Sequence, residues 1–133
     1  MSLLNKSIYD AEASVLLRAK DLAAITATTN GDAVAHTVTD QAVAAVIKVK
    51  SVDRTTTDET YDFTVQMDTD SGFGSAVTVA TLPTVSEAGT YILLIDGETA
   101  KKFVADASYV RVVATLGGTT PICEYSAWLN PVY

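Results

Sequence analysis

The chain has 133 residues, a net charge of −7, and only 19% charged residues against 48% hydrophobic ones. This size fits one domain. Nucleic-acid binders cluster Lys and Arg against phosphates, so the acidic balance argues against DNA or RNA as a partner. No window reaches the ~18 apolar residues of a membrane span. The low charged fraction suggests that a partner covers part of the surface.

The first ten residues show no periodic pattern that commits them to a helix or a strand. They contain four apolar side chains, Leu3, Leu4, Ile8 and Tyr9. One interpretation is a frayed terminus. The other is a short extended or helical arm that docks on another subunit, with these four side chains as anchors. We therefore divide the chain into an N-terminal arm, residues 1–10, and a single β-domain, residues 11–133.

The next two segments are ambiguous or weakly patterned. Residues 11–24 favour a helix by propensity but lack an apolar stripe, so a short helix or loop competes with an irregular edge strand. Residues 25–29 and 33–39 are β-prone and flank Asn30-Gly31, which predicts a hairpin with a tight turn.

The rest of the chain reads as strands separated by turns. Residues 43–52 predict a strand with alternate residues inward and Lys48 and Lys50 outward. Residues 60–82 predict a hairpin, because TYDFTVQMD alternates apolar and polar residues before the Asp- and Gly-rich loop DTDSGFGS. The apolar run 91–95 predicts a central strand covered on both faces. Residues 98–107 predict helical turns or an extended crossover, with Phe103 and Val104 in the core.

Residues 109–131 predict a closing pair of strands around a tight turn at Gly117-Gly118. In the last strand, Cys123, Tyr125, Ala127 and Leu129 should share one face. Turn signals every 8–12 residues or so indicate an all-β sandwich, barrel or jelly roll. No βαβ alternation or solenoid repeat is present.

Residues with catalytic potential do not form a recognisable constellation. The single histidine, His36, has no nucleophile-elbow motif to serve, and Cys123, the single cysteine, alternates with core positions. With one cysteine no intrachain disulfide can form, so we expect use without export. The segment starting at Asp68 begins like a calcium loop, but Phe73 and Val79 stand where that motif needs Gly and Glu. We expect no enzymatic activity, no metal and no cofactor.

Trp128 is the more informative residue, because the alternation places it opposite the predicted core face of its strand. Tryptophan is enriched at the energetic centres of interfaces. Either a partner covers this side chain, or a second sheet or the N-terminal segment does; the sequence leaves both open. Together with Tyr133, it is our candidate interface aromatic.

Three segments carry a resemblance to a known family. They are YDAEASVLLRAKDLAAITATT, YDFTVQMDTDSGFGSAVTVATL and YVRVVATLGGTTPICEYSAWLNP. In these segments, which span most of the chain in order, the sequence resembles the capsid cement (decoration) proteins of tailed bacteriophages, of the Bordetella-phage type. The ending is the closest match, through Gly118-Thr119-Thr120-Pro121 and Ala127-Trp128-Leu129. The link from Asp96 to Ser108 departs most from the family pattern.

The resemblance implies a jelly-roll β-sandwich that oligomerises, as a homodimer or homotrimer, on the exterior of an icosahedral capsid. Its partners would be the major capsid protein and itself, and it would be made in the host cytoplasm and end up in the virion. It would bridge neighbouring capsid subunits without enzymatic activity. The alternative is a ligand- or carbohydrate-binding β-sandwich of a phage tail or neck, in which exposed aromatic residues would stack on sugars.

Overall fold

A computed structural model describes residues 15–19, 22–36 and 42–131, and strands account for most of them. One helix, α1 (Gly97–Phe103), also falls within these ranges. The prediction of an all-β protein is confirmed. The strands are β1 (Val15–Arg18), β2 (Thr29–Asn30), β3 (Val34–Ala35), β4 (Val43–Val52), β5 (Thr60–Asp68), β6 (Val77–Leu82), β7 (Gly89–Ile95), β8 (Tyr109–Gly117) and β9 (Cys123–Pro131).

These strands form two antiparallel sheets. The order in the first sheet is β1-β9-β4-β7, and the order in the second is β2-β8-β5-β6, with β3 also paired to β8. Apart from the β2–β3 and β5–β6 steps, each strand is followed by one in the other sheet. The chain therefore weaves between two layers, which is an antiparallel β-sandwich.

The core lies between the sheets and follows from the alternation of residues along the strands. Phe63 of β5 and Tyr125 of β9 meet across it, with ring centroids 5.0 Å apart at an angle of 70°. Such edge-to-face contacts add to the free energy of burial. Other buried members come from both sheets: Ala45, Ile47, Val49, Tyr61, Val65, Met67, Val110, Val112, Ala114, Cys123, Ala127 and Leu129. The predicted inward faces of β4, β5 and β9 are confirmed.

The predicted hairpin at residues 25–39 is wrong within the described residues. The strands β2 and β3 do not pair with each other; both run antiparallel to β8. Between them the Gly31 amide still donates to the Val112 carbonyl at 2.7 Å, so the chain continues along β8 instead of turning. A Cβ on Gly31 would lie 2.7 Å from that same oxygen. Glycine is needed here for close backbone approach, not for a turn.

The predicted central strand at residues 91–95 is also wrong in its position. β7 pairs with β4 on one side and ends the described part of the first sheet on the other. Its outward side chains Ile92 and Leu94 are 50% and 62% exposed. An apolar run on both faces is typical of a buried strand, but it can also mark an edge that awaits a partner.

Two smaller predictions were resolved by the packing. Within residues 11–24 the edge-strand alternative is confirmed by β1, and within residues 98–107 the helical alternative is confirmed by α1.

Phe103 was expected in the core but is 58% exposed, whereas Val104 packs against the core. The strands β8 and β9 exist as predicted but lie in different sheets, so the segment at Gly117-Gly118 crosses between layers.

Candidate interaction surface

The face of the first sheet that points away from the core, here called the outer face, carries a row of apolar side chains. Strand register places Leu16 of β1 opposite Trp128 of β9, Trp128 opposite Val46 of β4, and Val46 opposite Ile92 of β7. Directly opposite residues on one face are contact neighbours. The row therefore crosses the whole width of the described sheet.

The side chains of this row differ sharply in exposure. Val46 and Trp128 are buried, with 0% and 2% of their surface exposed. Leu16 and Ile92, at the two ends of the row, are 41% and 50% exposed, and Leu94 beside Ile92 is 62% exposed. The large exposed apolar side chains thus lie at the margins of the sheet. Of these three side chains, only Ile92 and Leu94 are exposed next to each other, and neighbouring exposed apolar side chains mark interaction surfaces more often than scattered single residues do.

A charged zone adjoins the apolar row further along β4. Lys48 and Lys50 face outward and are exposed, and the Lys50 ammonium lies 3.2 Å from Glu124 of β9. This exposed ion pair contributes little to stability. The outer face therefore has buried apolar side chains in its middle, exposed apolar side chains at its margins and exposed lysines towards one end.

Of the predicted interface residues, the structure places one. Leu3, Leu4, Ile8, Tyr9 and Tyr133 lie outside the described residues. Trp128 occupies the predicted outward face of β9, and it is buried there.

Sequence reasoning missed the exposed residues Leu16, Ile92 and Leu94. The signal for Ile92 and Leu94 was the uncharged run YILLI, which was interpreted as a central strand.

The two reactive side chains considered from the sequence are both withdrawn from solvent, to different extents. Cys123 is fully buried, and burial raises the pKa of its thiol to about 11, so the thiolate nucleophile is scarce at neutral pH. His36 is half-buried, and burial lowers the pKa of its imidazole. Its backbone amide donates to the Ser108 carbonyl at 2.8 Å, which fixes the chain beside β8.

A polar network closes one end of the sandwich. The Asp58 carboxylate accepts the amide and hydroxyl of Thr119 at 3.1 and 2.8 Å, and so ties the loop before β5 to the β8–β9 crossover. The Tyr61 hydroxyl accepts the Ile122 amide at 3.0 Å. Hydrogen bonds from Thr56 lower the pKa of Asp58 and of the neighbouring Glu59. These bonds hold loops in place, which is a structural role.

The loop between β5 and β6 is organised by its first aspartate. The Asp68 carboxylate accepts the backbone amides of Thr69 at 2.6 Å, Asp70 at 3.3 Å and Ser75 at 2.8 Å. These bonds lower its pKa. A carboxylate engaged by three amides is an Asx-type loop anchor, so this geometry favours the hairpin-loop interpretation over calcium binding.

Phe73 tucks back from the same loop. Its ring is buried and lies beneath the Arg111 guanidinium, 4.3 Å from the charged carbon. The Arg111 Nε donates to Gln66 at 2.9 Å, which keeps the cation over the ring. The loop is thereby pinned to the second sheet, which gives this side of the sandwich a fixed shape.

Within the described ranges, no group of three or more His, Cys, Asp or Glu side chains is placed to hold a metal ion. In the same part of the chain, no helix has the length and apolar content needed to span a membrane.

No protein-family model matches this chain, and no curated protein or solved structure matches it either.

Proposed function

We propose that this protein is a virion structural protein that binds the outer surface of an assembled phage capsid and stabilises it by bridging neighbouring capsid subunits. The observation that carries the proposal is the outer face of the first sheet. It presents exposed Leu16, Ile92 and Leu94 at the margins of the sheet. A cement protein needs a firm body with apolar contact surfaces and no chemistry of its own.

The order of strands supports a jelly-roll form of the sandwich. In each sheet the strands alternate between early and late parts of the chain, as β1-β9-β4-β7 and β2-β8-β5-β6. Nested antiparallel strands with repeated crossings between two layers are typical of jelly rolls, which are common in viral capsid proteins; here the layers have four and five strands. The sequence resemblance to phage cement proteins implies the same form.

The mechanism of stabilisation is selective binding to the assembled state. A site that spans several capsid subunits exists only in the mature shell, so every bound copy shifts the equilibrium towards that shell. Many equivalent weak contacts on one particle add up through their effective concentration. The net charge of −7 would keep the protein off packaged DNA, in keeping with a place on the capsid exterior.

Co-sedimentation with purified capsids tests this proposal. Mature heads of the phage that encodes this chain, stripped of the protein, should bind it at a fixed number of copies per shell. Unexpanded precursor shells, which lack the assembled site, should bind far less. Stripped heads should also break at lower temperature than reloaded ones. Virions whose heads carry no density for this protein by electron microscopy would rule the proposal out.

A ligand- or carbohydrate-binding module has weaker support. Sugar-binding sandwiches present exposed aromatic platforms, and among the described residues only Phe103 is an exposed aromatic side chain. Binding to a glycan array that is lost in Phe103→Ala would favour this alternative.

A further inference from the structure

Strand β7 differs from the other strands that border the sheets. Natural sandwiches protect their edges by making them short, bulged or charged. Within the described part of the chain, β1 has four residues and an irregular register, and β2 and β3 have two residues each. The register of β6 shifts opposite Val65 and Gln66, which indicates a bulge. Each of these edges therefore carries one of the known protections.

β7 has none of these protections. It is seven residues long, GTYILLI, without a charge or a proline. It pairs with β4 in unbroken register from Ile95 opposite Val43 to Gly89 opposite Val49. Its other side has no strand partner among the described residues. A long, regular, uncharged edge with exposed Ile92 and Leu94 is a template for an added strand.

We propose that β7 is the self-association surface of this protein, at which two copies pair antiparallel through β7 and join their first sheets into one continuous sheet. The proposal adds a contact surface to the homodimer or homotrimer that the sequence resemblance implies, but it stands on the fold and does not require a capsid. A twofold axis through the middle of the strand places Ile92 of one copy opposite Ile92 of the other.

The sequence of β7 fits a second copy in particular. With Ile92 at the centre, Tyr91 meets Leu93, an aromatic–aliphatic pair of the kind that stabilises sheets, and bulky Ile95 meets Gly89. No charged residue occurs in the strand, so the pairing brings no like charges into opposition. This matters for a chain of net charge −7, whose other surfaces tend to repel a second copy.

The pairing also continues the outer face. Ile92 ends the apolar row that runs from Leu16 through Trp128 and Val46. In the dimer two such rows meet end to end, and the exposed Ile92 side chains shield each other.

Because a single strand pair buries less than the ~1,600 Å² of a standard interface, we expect a dissociation constant in the micromolar range, roughly 1–100 μM. Multivalent binding would reinforce such a dimer on a repeating surface.

Analytical ultracentrifugation of the full chain over roughly 1–500 μM tests the proposal. The native protein should shift from monomer to dimer with concentration. Ile92→Lys should weaken dimerisation at least ~10-fold, because it sets two ammonium groups opposite each other. Ile122→Lys is the matched control, since Ile122 is 42% exposed and lies outside the strand. This control should dimerise like the native protein. Circular dichroism checks that both variants fold.

A charge-swap mixture tests the register. Ile92→Lys and Ile92→Glu should each be largely monomeric alone, and an equimolar mixture should form a heterodimer. Four results would each overturn the proposal. They are a native protein that stays monomeric at every concentration, a dimer that Ile92→Lys does not weaken, equal weakening by Ile122→Lys, and a charge-swap mixture that stays monomeric. A dimer abolished by deleting residues 1–9 but unchanged by Ile92→Lys would also overturn it, since the N-terminal arm would then be the interface.

Two outcomes separate this inference from the proposed function. If the native protein is monomeric and Ile92→Lys abolishes binding to capsids, β7 docks a capsid strand, and self-pairing is wrong while the cement function stands. If the β7 dimer forms as described but mature heads do not bind it, self-pairing stands and the cement function is wrong.

Discussion

The most direct test of the placement of Trp128 is its replacement by alanine. Trp128 was expected as an interface residue, yet it is 2% exposed in the isolated chain. A tryptophan side chain buries about 200 Å², which at about 25 cal/mol per Å² corresponds to about 5 kcal/mol. That figure is an upper limit, because unfolded chains already bury some surface. Measured truncations of buried aromatic side chains fall at about 3–5 kcal/mol.

This loss is large against the ~5–15 kcal/mol that stabilises a domain. With a urea dependence of about 2 kcal/mol per M, the unfolding midpoint of Trp128→Ala should fall by about 1.5–2.5 M. Circular dichroism is the proper signal, because Trp128 is the only tryptophan and the variant removes its fluorescence. Leu94→Ala on the same outer face is the control: with 62% of its surface exposed, it should lower stability by less than about 1 kcal/mol.

The result that refutes this reasoning is a Trp128→Ala midpoint close to that of Leu94→Ala. Trp128 would then contribute no more than an exposed side chain, and its role would be to contact a partner. Native fluorescence gives an independent check. The emission of Trp128 should be blue-shifted in the folded protein and poorly quenched by acrylamide, and it should shift to the red on unfolding.

Three further predictions follow from particular sites. Gly118→Ala should lower stability by at least ~1–2 kcal/mol. Gly118 has φ +90°, and a Cβ there would strike the backbone at residues 58–59. Gly89→Ala is the control and should change the urea midpoint little, because its Cβ would meet only the Tyr91 ring at 3.6 Å or more. Burial raises the pKa of Cys123 from 9.0 to about 11 and that of Tyr125 from 10.0 to about 12. The folded state therefore favours the neutral forms, so this contribution to stability is complete below the ordinary pKa values and is lost as pH rises through the raised ones. The urea midpoint should fall between about pH 8 and about pH 10.5, and the fall should be smaller in Cys123→Ala. The shift of Asp68 has the opposite sign, because its pKa is lowered from 3.8. Its carboxylate stabilises the fold above that value, and the contribution is lost as pH falls below it. Asp68→Asn should therefore be less stable than the native protein at neutral pH, and its melting temperature should fall less on acidification.

Local pattern was sufficient to predict the long strands. The alternation in TYDFTVQMD predicted both the inward face of β5 and its hairpin with β6, and the bounds predicted for β4 are those observed. These segments succeed because a period of two reports directly on one buried face. The same alternation placed Trp128 correctly on the outward face of β9, although it could not say whether that side chain was covered.

Local pattern failed where a segment takes its structure from a distant neighbour. Asn30-Gly31 has the composition of a tight turn, but Gly31 lies against Val112 on β8, and that long-range approach determines its conformation. The segment at Gly117-Gly118 also resembles a hairpin turn, yet it crosses between the sheets. Turn composition shows that the chain can bend, whereas the sheet that each flanking strand joins depends on packing.

The sequence by itself determined the fold class, the inward faces of β4, β5 and β9 and the net negative charge, because each depends on residue type and spacing. Only the tertiary structure decided the order of strands, and with it which strand is an edge. YILLI is equally apolar in the middle of a sheet or at its border. Among the described strands it lies beside β4 alone, with Ile92 and Leu94 exposed, because whether a strand is an edge depends on its neighbours in the fold and not on any property of its own residues.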